Sequence, residues 1–150
     1  RETDYRHSGN GFRYAKEEEY LDRYAMVGIH QNYTPQYIFD YIDADKHIQY
    51  SSLEDYLHLT TIEKLIKFKK ATDFVRNKFG LEIDCDCMKN FDSSAMTPSG
   101  FNVNEIRSFI KLSKKQEVLY MHLCEASPEN NPMIGKALSY FVSDFIREDR

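Results

Sequence analysis

Leu81-Glu82-Ile83-Asp84-Cys85-Asp86-Cys87 is the stretch from which the fold is read. Its first residues are apolar enough for a buried strand, and its later ones deliver acids. On an extended strand residues two apart point the same way, so Asp84 and Asp86 are expected to present both carboxylates to one side. Like charges at that spacing repel unless a cation sits between them. A divalent metal meets that need, because hard cations take carboxylate oxygens. A solvated strand end with two acids in a turn meets it as well, and D-x-D alone does not choose between them.

Working outward, Thr61 to Phe79 has helical periodicity, and Gly80 is its expected stop. Lys89 to Phe101 is rich in Ser, Pro and Gly and reads as a loop, followed by a helix over Asn102 to Leu112. Glu117 to Glu125 is the last strand and again ends in an acid; Met133 to Ile146 is a closing helix. Toward the start, Phe12 to Tyr24 reads as a helix and Ala25 to His30 as a buried strand. Thr34 is placed to cap a helix that begins at Pro35 and runs to Ile42. Ile48 to Tyr50 fits a short edge strand, and Ser52 with Asp55 fits a cap and first turn. Strands alternating with helices imply βαβ units and a mostly parallel sheet. In such sheets ligands bind outside the carboxyl ends of the strands. Asp84, Asp86 and Glu125 lie at such ends, and His30 ends a third strand.

At 150 residues, 41% apolar and 29% charged, the chain is read as one soluble domain spanning 1–150. A net charge of -4 argues against nucleic acid as a partner. Lys64, Lys67, Lys69 and Lys70 fall on one helix and read as a solvated face. The three cysteines, Cys85, Cys87 and Cys124, read as free thiols on strands, which fits a cytoplasmic location. No apolar run approaches membrane-spanning length. The chain opens at Arg1 without a methionine, so a longer natural protein is expected.

Four segments then occur in register: His7-Ser8-Gly9-Asn10-Gly11-Phe12, Glu82 to Asp86, Ser93 to Phe101, and Leu123-Cys124-Glu125-Ala126-Ser127-Pro128. Together they resemble the C-terminal half of the ureohydrolase family (arginase, agmatinase, formimidoylglutamase), nearest the formimidoylglutamase and bacterial arginase-like branch. The resemblance implies an arginase-like three-layer α/β/α fold with a mostly parallel sheet, here partial. It also implies a hydrolase of linear amidines, guanidino or formimidoyl amino-acid derivatives. Two Mn2+ ions per complete site would activate a hydroxide for attack on the amidine carbon.

Residue by residue, Asp84 and Asp86 match the family's strand-end metal acids. Glu125 matches the acid that faces the substrate's cationic group, with a surface acid as the plain alternative. Ser8 and Asn10 match the loop that receives the amino-acid end of the substrate. Three departures stand out. The family's G-G-x-H and D-x-H-x-D metal segments do not occur. Gly11-Phe12 replaces the histidine found shortly after Asn10 in arginase-type members, leaving His7 as the candidate catalytic substitute. Met88-Lys89-Asn90 replaces an acid-proline after the metal pair. The expected partners are therefore the missing N-terminal half, further copies of the chain, and a small amidine, with no membrane. Alone the chain is expected to be inactive. The alternative is a non-catalytic module that kept the fold for assembly or regulation. Among the remaining histidines, His47 and His58 read as surface residues and His122 as a satisfied core histidine.

Overall fold

A computed structural model describes residues 5, 9–76 and 78–148 of the chain. It is an α/β structure, as the alternating pattern implied. In order it runs α1 (Gly11–Glu17), β1 (Tyr24–Ile29), α2 (Gln36–Asp43), β2 (Ile48–Ser52), α3 (Thr61–Val75), β3 (Phe79–Asp84), α4 (Val103–Lys114), β4 (Val118–Cys124) and α5 (Pro132–Ile146), with 3-10 turns at Glu54–Tyr56 and Cys85–Cys87. The expected single sheet is divided among the described residues. β1 pairs with β2 and β3 with β4, both in parallel, as two two-stranded sheets.

Both pairs share one core. Phe101 packs edge-on against Tyr56 and Phe109, and Phe68 stacks on Phe109 at 4.4 Å. Ile83 of β3, Ile106 and Ile110 of α4, and Ile134 and Phe141 of α5 complete this cluster, with Val27 of β1 against it. Side chains alternate along a strand. In β2, Ser51 bonds the buried Tyr56 on the core side, while Tyr50 meets Phe39 of α2 on the other. The β1–β2 pair is thus covered on both faces. The β3–β4 pair buries Leu81, Ile83, Met121 and Leu123, and turns Glu82, Tyr120 and His122 to its open face.

Several expected boundaries shift for local reasons. α1 stops at Glu17, with Glu19 at φ 61°, and Tyr24 opens β1 instead of closing a helix. Thr34 does not cap α2, because its hydroxyl donates to the His30 carbonyl. α3 starts at a full capping box between Thr60 and Glu63, and ends at Val75 rather than Phe79. Arg76 and Lys78 take φ of 67° and 60° there. Gly80 lies inside β3, where a Cβ would sit 2.1 Å from the Tyr120 ring. Its job is to let that ring cross the strand, not to stop a helix. Three of the four α3 lysines form ion pairs, Lys64 with Glu105 (2.5 Å), Lys67 with Asp55 (3.5 Å) and Lys69 with Asp73 (2.6 Å).

Candidate active site

β3 ends at Asp84 and not at Cys87, and this changes how the two acids are held. The Asp86 N–H donates to Asp84 Oδ1 at 2.9 Å, which tightens the chain into the 3-10 turn Cys85–Cys87. An aspartate bonding its own backbone two residues on is a turn-forming device that competes with extended strand. Asp84 and Asp86 are therefore not same-side neighbours on one strand. Asp84 ends the strand and Asp86 lies inside the turn that follows.

The loop after the turn fixes Asp86 in place. The Ser94 hydroxyl donates to Asp86 Oδ2 at 2.8 Å, and the Ala95 N–H donates to Oδ1 at 2.9 Å. The same loop reaches the end of β4. The Ser94 N–H donates to the Glu125 carbonyl (3.1 Å), Ser93 bridges Ala126, and the Ser127 N–H donates to the Asp92 carbonyl (2.8 Å). Glu125 itself is exposed and takes a left-handed φ of 63° directly after β4. Asp84, Asp86 and Glu125 thus gather at the joined carboxyl ends of β3 and β4.

Electrostatics records the crowding. Burial raises the Asp84 carboxyl above its ordinary range; the Asp86 N–H opposes this, and the charges of Asp86 and Glu125 reinforce it. The Tyr24 phenol is raised too, first by burial and then by Glu82, Asp84 and Cys124. Since Phe12 stacks on Tyr24 at 4.5 Å, Tyr24 ties the start of α1 to the acidic end. Asn10, at the head of α1, is 3% exposed and donates from Nδ2 to the Tyr5 carbonyl at 2.9 Å. His7 and Ser8 lie outside the described residues.

In kind, Asp84 and Asp86 suit a hard divalent ion: two carboxylates whose outer partners are already oriented. In number they fall short. Among the described residues no three His, Cys, Asp or Glu side chains are placed to hold a metal ion. Ser94, Ala95 and Tyr24 are what a residue-by-residue reading misses. Ser94 lies eight positions from Asp86, and no spacing rule links a loop serine to a strand-end acid at that distance. His122 also differs from its expected place in the core. It bonds Glu82 across the β3–β4 pair through Nδ1, with its side chain 59% exposed. The three thiols are free as expected, although Cys85 and Cys87 lie in the 3-10 turn rather than on the strand.

No sequence-family model matches the chain, and no curated protein matches it by sequence. Solved structures do. The formimidoylglutamase of Bacillus subtilis superposes with a TM-score of 0.79 at 19% identity, over 97% of this chain and 48% of that one. A formiminoglutamase of Trypanosoma cruzi, solved with Mn2+, gives 0.79 at 16% identity, over 91% and 49%. The arginase of Bacillus caldovelox gives 0.69 at 10% identity, over 83% and 43%. The chain therefore has the fold of these three proteins, and spans about half the length of each. This bears out the fold that the resemblance implied. No helix among the described residues is long and apolar enough to cross a membrane.

Proposed function

We propose that the chain is the C-terminal portion of a single ureohydrolase-like domain whose complete form is a metal-dependent hydrolase of linear amidines. One observation carries the reading: the gathering of Asp84, Asp86 and Glu125 at the carboxyl ends of β3 and β4, where a fold of this type binds ligands. Asp84 and Asp86 would supply part of the ligand set for two Mn2+ in the complete site, and the Ser94 hydroxyl and Ala95 N–H fix the Asp86 carboxylate in place. When bound, such ions supply a hydroxide nucleophile at neutral pH. Glu125 accepts hydrogen bonds from the cationic amidine and holds its carbon in line, and Ser8 and Asn10 take the amino-acid end. His7 is the candidate proton carrier.

The substrate class, a guanidino or formimidoyl amino acid, is the one the resemblance implies, and the clustered carboxylates suit its cationic group. Two carboxylates leave a binuclear centre incomplete, so the remaining ligands come from further polypeptide of the same protein. The 150 residues alone are inactive on this reading. A manganese titration followed by water-proton relaxation tests it. Weak binding that Asp84→Asn abolishes supports the proposal, and hydrolysis of arginine, agmatine or formimidoylglutamate by the chain alone overturns the predicted inactivity.

A second reading, a non-catalytic module acting in assembly or regulation, is favoured by one observation, the lack of a three-ligand group among the described residues. The same titration separates the two, because no binding at millimolar manganese supports the module.

A further inference from the structure

A cavity of about 470 Å3 opens between the heads of α3 and α4. Lys89 and Asn90 line it from the segment just past the turn that carries Asp86. Asn102, Asn104 and Glu105 line it from the head of α4, and Thr61 from the head of α3. Asp84, Asp86 and Glu125 take no part in it. The Lys89 segment is held from behind, so its side chains are presented on a fixed backbone. The Lys89 N–H donates to the carbonyl of the buried Phe101 at 3.0 Å, and the Asn90 N–H to the Thr97 carbonyl at 2.9 Å.

The helix ends do not make this a site, because each already has its own cap. Thr60 with Glu63 and Asn102 with Glu105 form complete capping boxes. The Glu105 carboxylate is also balanced, since it accepts from the Asn102 N–H at 2.8 Å and from the Lys64 ammonium at 2.5 Å. Lys89 is the opposite case. Among the described residues its ammonium has no ion pair or hydrogen bond, unlike Lys64, Lys67 and Lys69. The charge left over in the cavity is therefore positive. The Asn90 and Asn104 side-chain amides have no partner among the described residues either, and each carries two N–H donors. An ammonium beside amide donors suits an anion, because hydrogen bonds to an ionised acceptor are the stronger kind. The volume falls in the range of roughly 300–1,000 Å3 that small organic ligands occupy, more than a bare oxyanion fills.

We propose that this cavity binds a small organic anion through the Lys89 ammonium, with the Asn90 and Asn104 amides as further donors. The site is separate from the acids and does not depend on the amidine-hydrolase reading. Its ligand carries a phosphate or a carboxylate head, and glycerol 3-phosphate and glycerate offer the two on the same three-carbon frame. In the nitrogen-15-labelled chain at constant ionic strength, one of these probes is expected to shift the Asn90 and Asn104 amide resonances saturably at millimolar concentration. Sodium chloride is expected to leave them unmoved. The probe that binds more tightly identifies the head. Lys89→Gln is expected to weaken that binding by roughly tenfold or more, the scale of a hydrogen bond to a charged group, and Lys89→Arg to retain it. Lys115→Gln, at the far end of α4, is expected to leave it unchanged. All three variants replace exposed side chains, so the fold is expected to persist, and the same spectra report it. No saturable shift with either probe, shifts that chloride reproduces, or equal weakening by Lys89→Gln and Lys115→Gln each overturn the assignment.

Discussion

Gly28 takes a φ of 84°, and a Cβ built on it would lie 2.5 Å from the Phe101 ring, itself 2% exposed in the core. Gly28→Ala therefore combines a left-handed alanine with overpacking, and is expected to lower stability by roughly 2–4 kcal/mol in urea unfolding. The thiols make a second test at this scale. Burial pushes Cys85 and Cys87 up to about 12, with the neighbouring thiols and carboxylates adding to it, and Cys124 up to about 11. All three are thus protonated at pH 8, and iodoacetamide should label them only after unfolding. The sign of the linkage follows. Raised thiols stabilise the fold fully below about pH 9, the unfolded value, and that share is lost as pH climbs toward 12. Rapid labelling of the folded chain at pH 8 would contradict this.

At the scale of elements, α4 and α5 are joined by Arg107, whose Nε and Nη2 reach the two Asp144 oxygens at 2.5 and 3.1 Å while the guanidinium lies 5.0 Å from the Tyr140 ring centre. The Arg107 hydrogen bond holds the Asp144 carboxyl below its ordinary range. Asp144→Asn should cost about 1–2 kcal/mol, since Arg107 is partly exposed and solvent screens the pair. That contribution is present above about pH 4 and fades as pH falls through the lowered value, which acid unfolding of the two proteins can compare.

Elements were legible in the sequence where a period was long and the ends were capped by side chains: α4 and α5 fall within two residues of the bounds read from their apolar stripes. They were illegible where a non-glycine residue makes the turn. Nothing in Arg76 or Lys78 announces a left-handed backbone, so α3 read through into β3. At the site, the acids themselves could be read, because charge at a strand end is a local fact. Their posture could not. Asp84 bonds two residues on and Asp86 eight to nine residues on, and the turn won over the strand.

At the scale of the whole molecule, each two-stranded parallel sheet has no further strand paired to its edges among the described residues, and β4 carries Leu119 and Tyr120 on the surface at 65% and 51% exposure. Parallel sheets are ordinarily continued sideways and covered on both faces. The chain should therefore associate with itself, and light scattering at micromolar concentration should give a mass above the 17.7 kDa of one copy. A monodisperse single copy would count against that expectation.

The division into two sheets also sets how the molecule breathes. β3 and β4 send Leu81, Ile83, Met121 and Leu123 into the shared core, whereas β1 sends Val27. The strands of the two βαβ units then have unequal anchorage, and the units meet where Phe101 packs on Tyr56 and Gly28. Native-state hydrogen exchange should find the β1–β2 amides opening at lower free energy than those of β3–β4. On that view the end of β1 can rearrange while the acids at the ends of β3 and β4 keep their arrangement.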